Sequence, residues 1–143
     1  MSVTVRTTRD PAEIEAARKL RIEVFSGEQG VDPALEDDGK DDQSTQVIAL
    51  DDSGIVATCR LRYPAAEECK LERMVVAKRF RKLGVGARLL AGAEEEGRSA
   101  GAQTMVLNAQ RRAEAFYAAN GYVAEGDTFL DAGIEHVRMR KAL

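Results

Sequence analysis

The segment Arg79–Leu90, RFRKLGVGARLL, constrains this chain more than any other. Two glycines, Gly84 and Gly86, stand one residue apart at the start of a run, Val85 to Ala93, that is spaced like an amphipathic helix. Each glycine costs roughly 1 kcal/mol relative to alanine inside a helix. Lys78, Arg79, Arg81 and Lys82 lie just upstream. A helix start leaves four N–H groups without intrahelical partners, at the positive end of the helix dipole. Glycines there let an anion reach the backbone without meeting a Cβ, so the segment reads as a phosphate-type site. The same residues fit a tight turn and a close helix–sheet contact equally well.

The rest of the chain frames that segment. Its 143 residues favour a single domain, 1–143. A composition 44% hydrophobic and 31% charged is that of a soluble globular protein. A net charge of −3 argues against a nucleic-acid binder held by a general basic field. No apolar run approaches the roughly 20 residues that span a bilayer, and the opening MSVTVRTTRD lacks the apolar stretch of a signal peptide. A cytoplasmic location is therefore expected, with Cys59 and Cys69 as free, buried thiols, since they form no CxxC pair. No metal is expected: the acidic stretch at 28–42 does not match the EF-hand spacing.

Periodicity and turn chemistry give an element order. Val3–Thr7 alternates as a strand. Asp10 reads as an N-cap with Pro11 at the first helical position and Glu13 closing a capping box, for a helix of about 14 residues ending near Phe25. Residues 26–46 read as a loop with at most a short helix. Gln46–Asp51, Ile55–Tyr63 and Leu71–Ala77 read as an antiparallel meander. A helix from Gly84 to Ala100, a strand Thr104–Asn108, a helix Arg111–Asn120 stopped at Gly121, and strands 122–125 and 135–139 complete the chain. The order β-α-β-β-β-α-β-α-β-β gives a mixed α/β (α+β) fold with a largely antiparallel sheet of six to seven strands flanked by helices.

Arg81-x-x-Gly84-x-Gly86 after Met74-Val75-Val76 resembles the acetyl-CoA-binding segment of the GNAT superfamily of N-acetyltransferases. Gln110-x-x-Ala113-x-x-Phe116-Tyr117-x-x-x-Gly121-Tyr122 resembles the second signature of that family, one helix and one strand downstream. VFSGEQGV at 24–31, LNAQ at 107–110 and AGIEHVRM at 132–139 are similar to a bacterial, ElaA-like branch. The resemblance covers roughly residues 20 to 140. It departs from the common pattern at Lys78, at Arg81-Lys82 and at Gln110, and none of these removes a backbone amide.

The resemblance implies a GNAT-like fold that uses acetyl-CoA as co-substrate and a primary amine as acceptor, in a ternary complex. The amides of Lys82, Leu83, Gly84, Val85, Gly86 and Ala87 would cradle the pyrophosphate, helped by the charge of Arg81. Met74, Val75 and Val76 would offer backbone to the pantetheine arm, with the Met74 amide donating to the thioester oxygen. Gln110, Ala113 and Phe116 would line the cofactor, Gln110 bonding the pantetheine or ordering its loop. Tyr117 would protonate the leaving thiolate. Glu72 is the first candidate for the base, on the premise that two residues of strand leave it on the face of Met74. His136, the one histidine, is the second, because imidazole titrates near neutral pH. Glu28, Gln29, Asn108 and His136 are expected on the acceptor side, where the acidic stretch 28–42 forms either a rim that attracts a cationic amine or a solvated loop. The bland alternatives remain: a half-buried aromatic for Tyr117, a surface glutamate for Glu72, a structural histidine for His136. A non-catalytic acyl-CoA-binding module is the competing function. The acceptor and the oligomeric state, a homodimer included, are left open.

Overall fold

The computed structural model describes residues 2–143. Strand β1 (Thr4–Thr8) leads into helix α1 (Pro11–Ile22), which begins as the sequence dictates. Asp10 Oδ1 accepts from the Ala12 amide at 3.0 Å, and Pro11 occupies the first turn. Glu13 does not close a capping box. Arg6 and the Thr8 hydroxyl hold its carboxylate instead, and Thr8 Oγ1 takes the Asp10 amide at 3.1 Å. The helix does not end near Phe25. It widens into a π-helical turn, Glu23–Glu28, closed by the Gln29 amide on the Val24 carbonyl at 3.1 Å. Such turns are rare and concentrate at functional sites.

Helix α2 (Pro33–Glu36) and a 3₁₀ turn at Asp41–Gln43 interrupt the acidic loop. Strands β2 (Thr45–Asp51), β3 (Gly54–Ala65) and β4 (Glu68–Val76) form the expected meander. Helix α3 (Val85–Ser99), strand β5 (Thr104–Gln110), helix α4 (Glu114–Ala119) and the hairpin β6 (Val123–Asp131)–β7 (Ile134–Ala142) follow. The last two strands are longer than the sequence pattern suggests, because β6 is exposed along its whole length and carries no apolar alternation.

The seven strands form one sheet in the order β1-β2-β3-β4-β5-β7-β6, so the expected mixed, mostly antiparallel architecture stands. Helix α3 covers one face: a Cβ added at Gly97 would stand 3.6 Å from Cys69, and Gly92 abuts Val5. Helix α1 packs on β3 and β4 from the other face. Leu89, Leu90, Ala93, Met105, Leu107, Cys59, Leu61 and Cys69 fill the layer under α3.

Two irregularities position the site. β4 and β5 are parallel and pair only from Glu68↔Thr104 to Leu71↔Leu107. Beyond that point β4 keeps pairing with β3 as far as Val76, and β5 keeps pairing with β7 as far as Gln110, so the sheet opens between them. In addition, β4 carries a bulge against β3: Glu72 pairs with Arg60 and Val75 with Thr58, so Arg73 and Met74 oppose a single residue. Arg73 adopts φ 55, an uncommon conformation for a side-chain-bearing residue.

Gly92 lies where α3 crosses β1, and a Cβ there would collide with the Val5 side chain. Gly92→Ala should therefore lose about 1–3 kcal/mol of unfolding free energy despite the better helix propensity of alanine. Denaturant titration of the variant against wild type measures this.

Candidate active site

The opening between β4 and β5 is the floor of a cavity of about 1030 Å³. The turn after β4 and the start of α3 form one wall, α4 and the end of β5 another, and the π-turn of α1 a third.

At one end lies the glycine segment. Gly84 is the N-cap of α3 in the left-handed region at φ 82, and Lys82 is left-handed too at φ 63. Such alternation turns successive N–H groups toward one side and makes an anion-binding concavity. Among the described residues, no acceptor meets the amides of Lys82, Leu83, Gly84, Val85, Gly86 or Ala87; the first bond of the helix runs from Arg88 to the Gly84 carbonyl at 3.2 Å. The two glycines divide the roles that the sequence left open. In front of Gly84 a Cβ would meet nothing within 4 Å, so that position faces open space. At Gly86 a Cβ would stand 3.3 Å from the Phe116 ring, so that glycine lets α4 approach α3.

Arg81 is less available than expected. Its guanidinium forms a two-point ion pair with Glu28 at 2.7 and 3.0 Å, and its Nε donates to the Val76 carbonyl at 3.0 Å. The hydrogen bond from Arg81 holds the Glu28 carboxyl below its usual range. Glu28 thus ties the π-turn to the glycine segment at the wall of the cavity. Gln29 instead accepts from Gln110 Nε2 at 2.8 Å, while Arg112 donates to Gln110 Oε1 at 3.0 Å. Gln110 therefore orders the loop across the cavity.

Tyr117 is buried and lines the cavity. Its hydroxyl lies 3.5 Å from the Met74 sulfur, and its ring packs edge-on to Phe116 and Tyr122, with centroids 5.1 and 5.8 Å away. Burial pushes the phenol above its usual pKa, so it stays protonated. Tyr122 is itself fixed by Glu94, which it meets at 2.8 Å and which Lys141 also contacts at 3.1 Å.

Glu72 does not have the setting of a base. The bulge at Arg73 resets the strand alternation, so Glu72 shares a face with Val75 and Arg60, and Met74 points to the other. There Arg60 and Arg62 donate to its carboxylate at 3.2 and 2.6 Å, with Lys70 at 3.5 Å. Burial opposes ionisation, but these cations outweigh it and bring the Glu72 pKa down to about 2.

The acidic loop is likewise occupied. Arg21 and Arg60 are each 1% exposed, and the carboxylates of the loop neutralise them. Arg21 meets Asp41 at 2.6 Å. Its Nε lies 2.7 Å from Glu36, but poorly aligned, so that contact is an ion pair rather than a hydrogen bond. Arg60 meets Asp38 and, at 3.2 Å, Asp41. Arg73 donates to the Glu36 carbonyl at 3.2 Å. Burial raises the Glu36 carboxyl despite Arg21 and Arg73, whereas the Arg60 hydrogen bond lowers that of Asp38. These residues were missed as a set. The available signal was Arg60 and Arg62 in the otherwise apolar strand IVATCRLRY, since an inward arginine needs a carboxylate.

Asn108, Gln110 and His136 share the sheet face opposite α3 and line the cavity. His136 Nδ1 lies 2.7 Å from the Ile134 carbonyl, and its ring stacks on Phe129 at 5.9 Å. Both cysteines are free and buried; burial pushes Cys69 up to about 11 and Cys59 further. Among the described residues, no cluster of three His, Cys, Asp or Glu side chains is placed to hold a metal, and no helix is long and apolar enough to cross a membrane.

The family model for the acetyltransferase (GNAT) domain matches residues 10–143. The chain belongs to the GNAT acetyltransferase family. This GNAT protein is 35% identical over 134 residues to the uncharacterized N-acetyltransferase YjcF of Bacillus subtilis, covering 93% of the chain and 95% of that relative. It superposes on the crystal structure of a protein from Lactobacillus plantarum described as an N-acetyltransferase with TM-score 0.92 and 29% identity, covering 100% and 99% of the two chains. Escherichia coli ElaA shares the fold at TM-score 0.87 over 98% and 99% of the chains, with 21% identity. The chain is thus a GNAT acyltransferase, a family that moves acyl groups from acyl-CoA.

The ion pairs of Glu72 make a test of its role. A carboxylate with a depressed pKa contributes stability that is fully present above its unfolded value of about 4.5 and is lost as pH falls through about 2. Glu72→Gln should lower the unfolding free energy by about 1–3 kcal/mol at neutral pH. The difference from wild type should shrink below pH 4.5 and vanish near pH 2, as read by thermal unfolding at a series of pH values.

Proposed function

We propose that the protein moves the acetyl group of acetyl-CoA to a primary amine by direct attack within a ternary complex. The observation that carries this reading is the set of six amides, Lys82 to Ala87, without acceptors at the mouth of a cavity that ends at Tyr117 and the open sheet. Those amides suit a diphosphate, with the Lys82 side chain beside them; Arg81 contributes by holding Glu28 and the loop. Met74, Val75 and Val76 present the strand against which the pantetheine would lie, with Ala113, Phe116 and Tyr117 opposite. A donor at the Met74 amide would stabilise the oxyanion, an effect worth about 3–4 kcal/mol in acyl transfer. The protonated Tyr117 phenol suits protonation of the departing thiolate. The two protein thiols are buried and protonated, which disfavours an acyl-cysteine intermediate and supports direct transfer.

The engagement of Glu72 by arginines favours a second reading, a module that binds acyl-CoA without turnover. Thiol release from acetyl-CoA, followed with spermidine, glucosamine, lysine and glycyl peptides, separates the two. Release with at least one amine supports transfer. Tight CoA binding with no release supports the module.

Two variants address the assignments. Gly84→Glu places a strained, anionic side chain at φ 82 and should abolish CoA binding by calorimetry. Tyr117→Phe should lower kcat about 100-fold with CoA affinity nearly unchanged. Retained affinity in the first, or an unchanged kcat in the second, removes that residue from its role.

A further inference from the structure

Amine acetylation at neutral pH needs a group that takes a proton from an ammonium. Glu72 is held ionised by Arg60, Arg62 and Lys70 on the face away from Met74. His136 stands differently. A carbonyl oxygen only accepts, so the 2.7 Å contact with Ile134 puts the hydrogen on Nδ1. In the neutral ring the lone pair then sits on Nε2, in a side chain that lines the cavity. Stacking on Phe129, at 5.9 Å and 22° between planes, fixes the ring plane. His136 pairs in register with Gln110, so it lies on the face that carries Asn108, where an acceptor can enter opposite the α3–α4 side. We infer that His136 Nε2 is the general base that deprotonates the acceptor ammonium, its tautomer set by the Ile134 carbonyl. This rests on the transfer reading above.

The charged groups around it leave that lone pair free. Glu28 is paired with Arg81, Glu72 with its three cations, and Arg73 with the Glu36 carbonyl. On its own strand, Arg138 meets Glu125 at 2.9 Å and Glu135 meets Arg111 at 3.8 Å. Asp131 at the end of β6 and Arg112 in the turn after β5 also line the cavity, Arg112 donating to Gln110 Oε1, and Lys82 lies at the glycine segment. Nε2 takes one proton from R–NH₃⁺, and the freed nitrogen pair forms the C–N bond at the thioester carbon. The carbonyl pair moves to oxygen and returns as the C–S bond breaks. The amide nitrogen loses its second proton, the thiolate gains one, and the imidazolium releases its own to solvent. The net products are the amide, the free thiol and one proton.

His136 is the single histidine, so its ring gives one set of signals. Two-bond ¹⁵N–¹H correlation on the wild-type protein should show Nδ1–H with a bare Nε2; the reverse tautomer overturns the proposal. The kinetic arm uses whichever of spermidine, glucosamine, lysine and glycyl peptides is acetylated fastest. For wild type, kcat/KM should fall on the acid side in step with the titration of the ring signals. His136→Gln and His136→Asn should lose about 100-fold at pH 7. The deficit should narrow as pH rises toward the pKa of the amine itself, where no base is needed; a structural defect would not show that recovery. A variant with the wild-type rate and acid limb overturns the base alone. A wild-type protein that releases no thiol with any of these amines overturns the transfer reading and the base with it.

Discussion

Everything about the site follows from the point where β4 and β5 part company after Leu71 and Leu107. Parallel pairing commits both backbones to each other. Ending it after four register pairs frees one edge of each strand while both remain anchored on their outer sides. The opening is held by charge. Arg73, left-handed at the bulge, reaches the carbonyls of Leu35 and Glu36, and Arg60 beside it draws Asp38 and Asp41 over the sheet. Removing one member of such a set would strand a buried ion, which is why loop and strand behave as one piece.

The cavity is a junction of two faces. The α3–α4 side brings the glycine segment and Tyr117, and Gly86 against Phe116 sets how close those helices come. The α1 side brings the π-turn and the residue that follows it, whose side chains reach opposite walls: Glu28 to Arg81 and Gln29 to Gln110. The wider π-turn thus places two adjacent side chains where a regular α-helix would not.

What could be read in advance depended on whether the physics was local. The N-cap at Asp10, the helix after Gly84 and the meander follow from neighbours in sequence, and they stand. That Gly84 begins α3 in a left-handed conformation with open space before it was legible because helix ends carry their own chemistry. The role of Glu72 was not. Its strand is apolar on one side and gives no hint that a non-glycine residue, Arg73, turns left-handed and flips the alternation. The acidic loop was misjudged for a related reason: Glu36, Asp38 and Asp41 find cations 15 to 37 residues away, at Arg21, Arg60 and Arg73, and no spacing rule connects them. Glu13 shows the same on a small scale, drawn from its cap by Arg6 across the first turn.

The sheet ends at β1 on one side and β6 on the other, and both rims would otherwise offer unpaired main chain to another strand. β1 is only five residues long and bears Arg6. β6 is kinked against β7 between Glu125 and Phe129, with Gly126 left-handed, and carries Glu125, Asp127 and Asp131. A short rim and a bent, anionic one make poor templates for further strands. Crowded, newly made copies of this chain are thereby kept from zipping into ribbons, even though the fold must maintain a gap in the middle of its sheet.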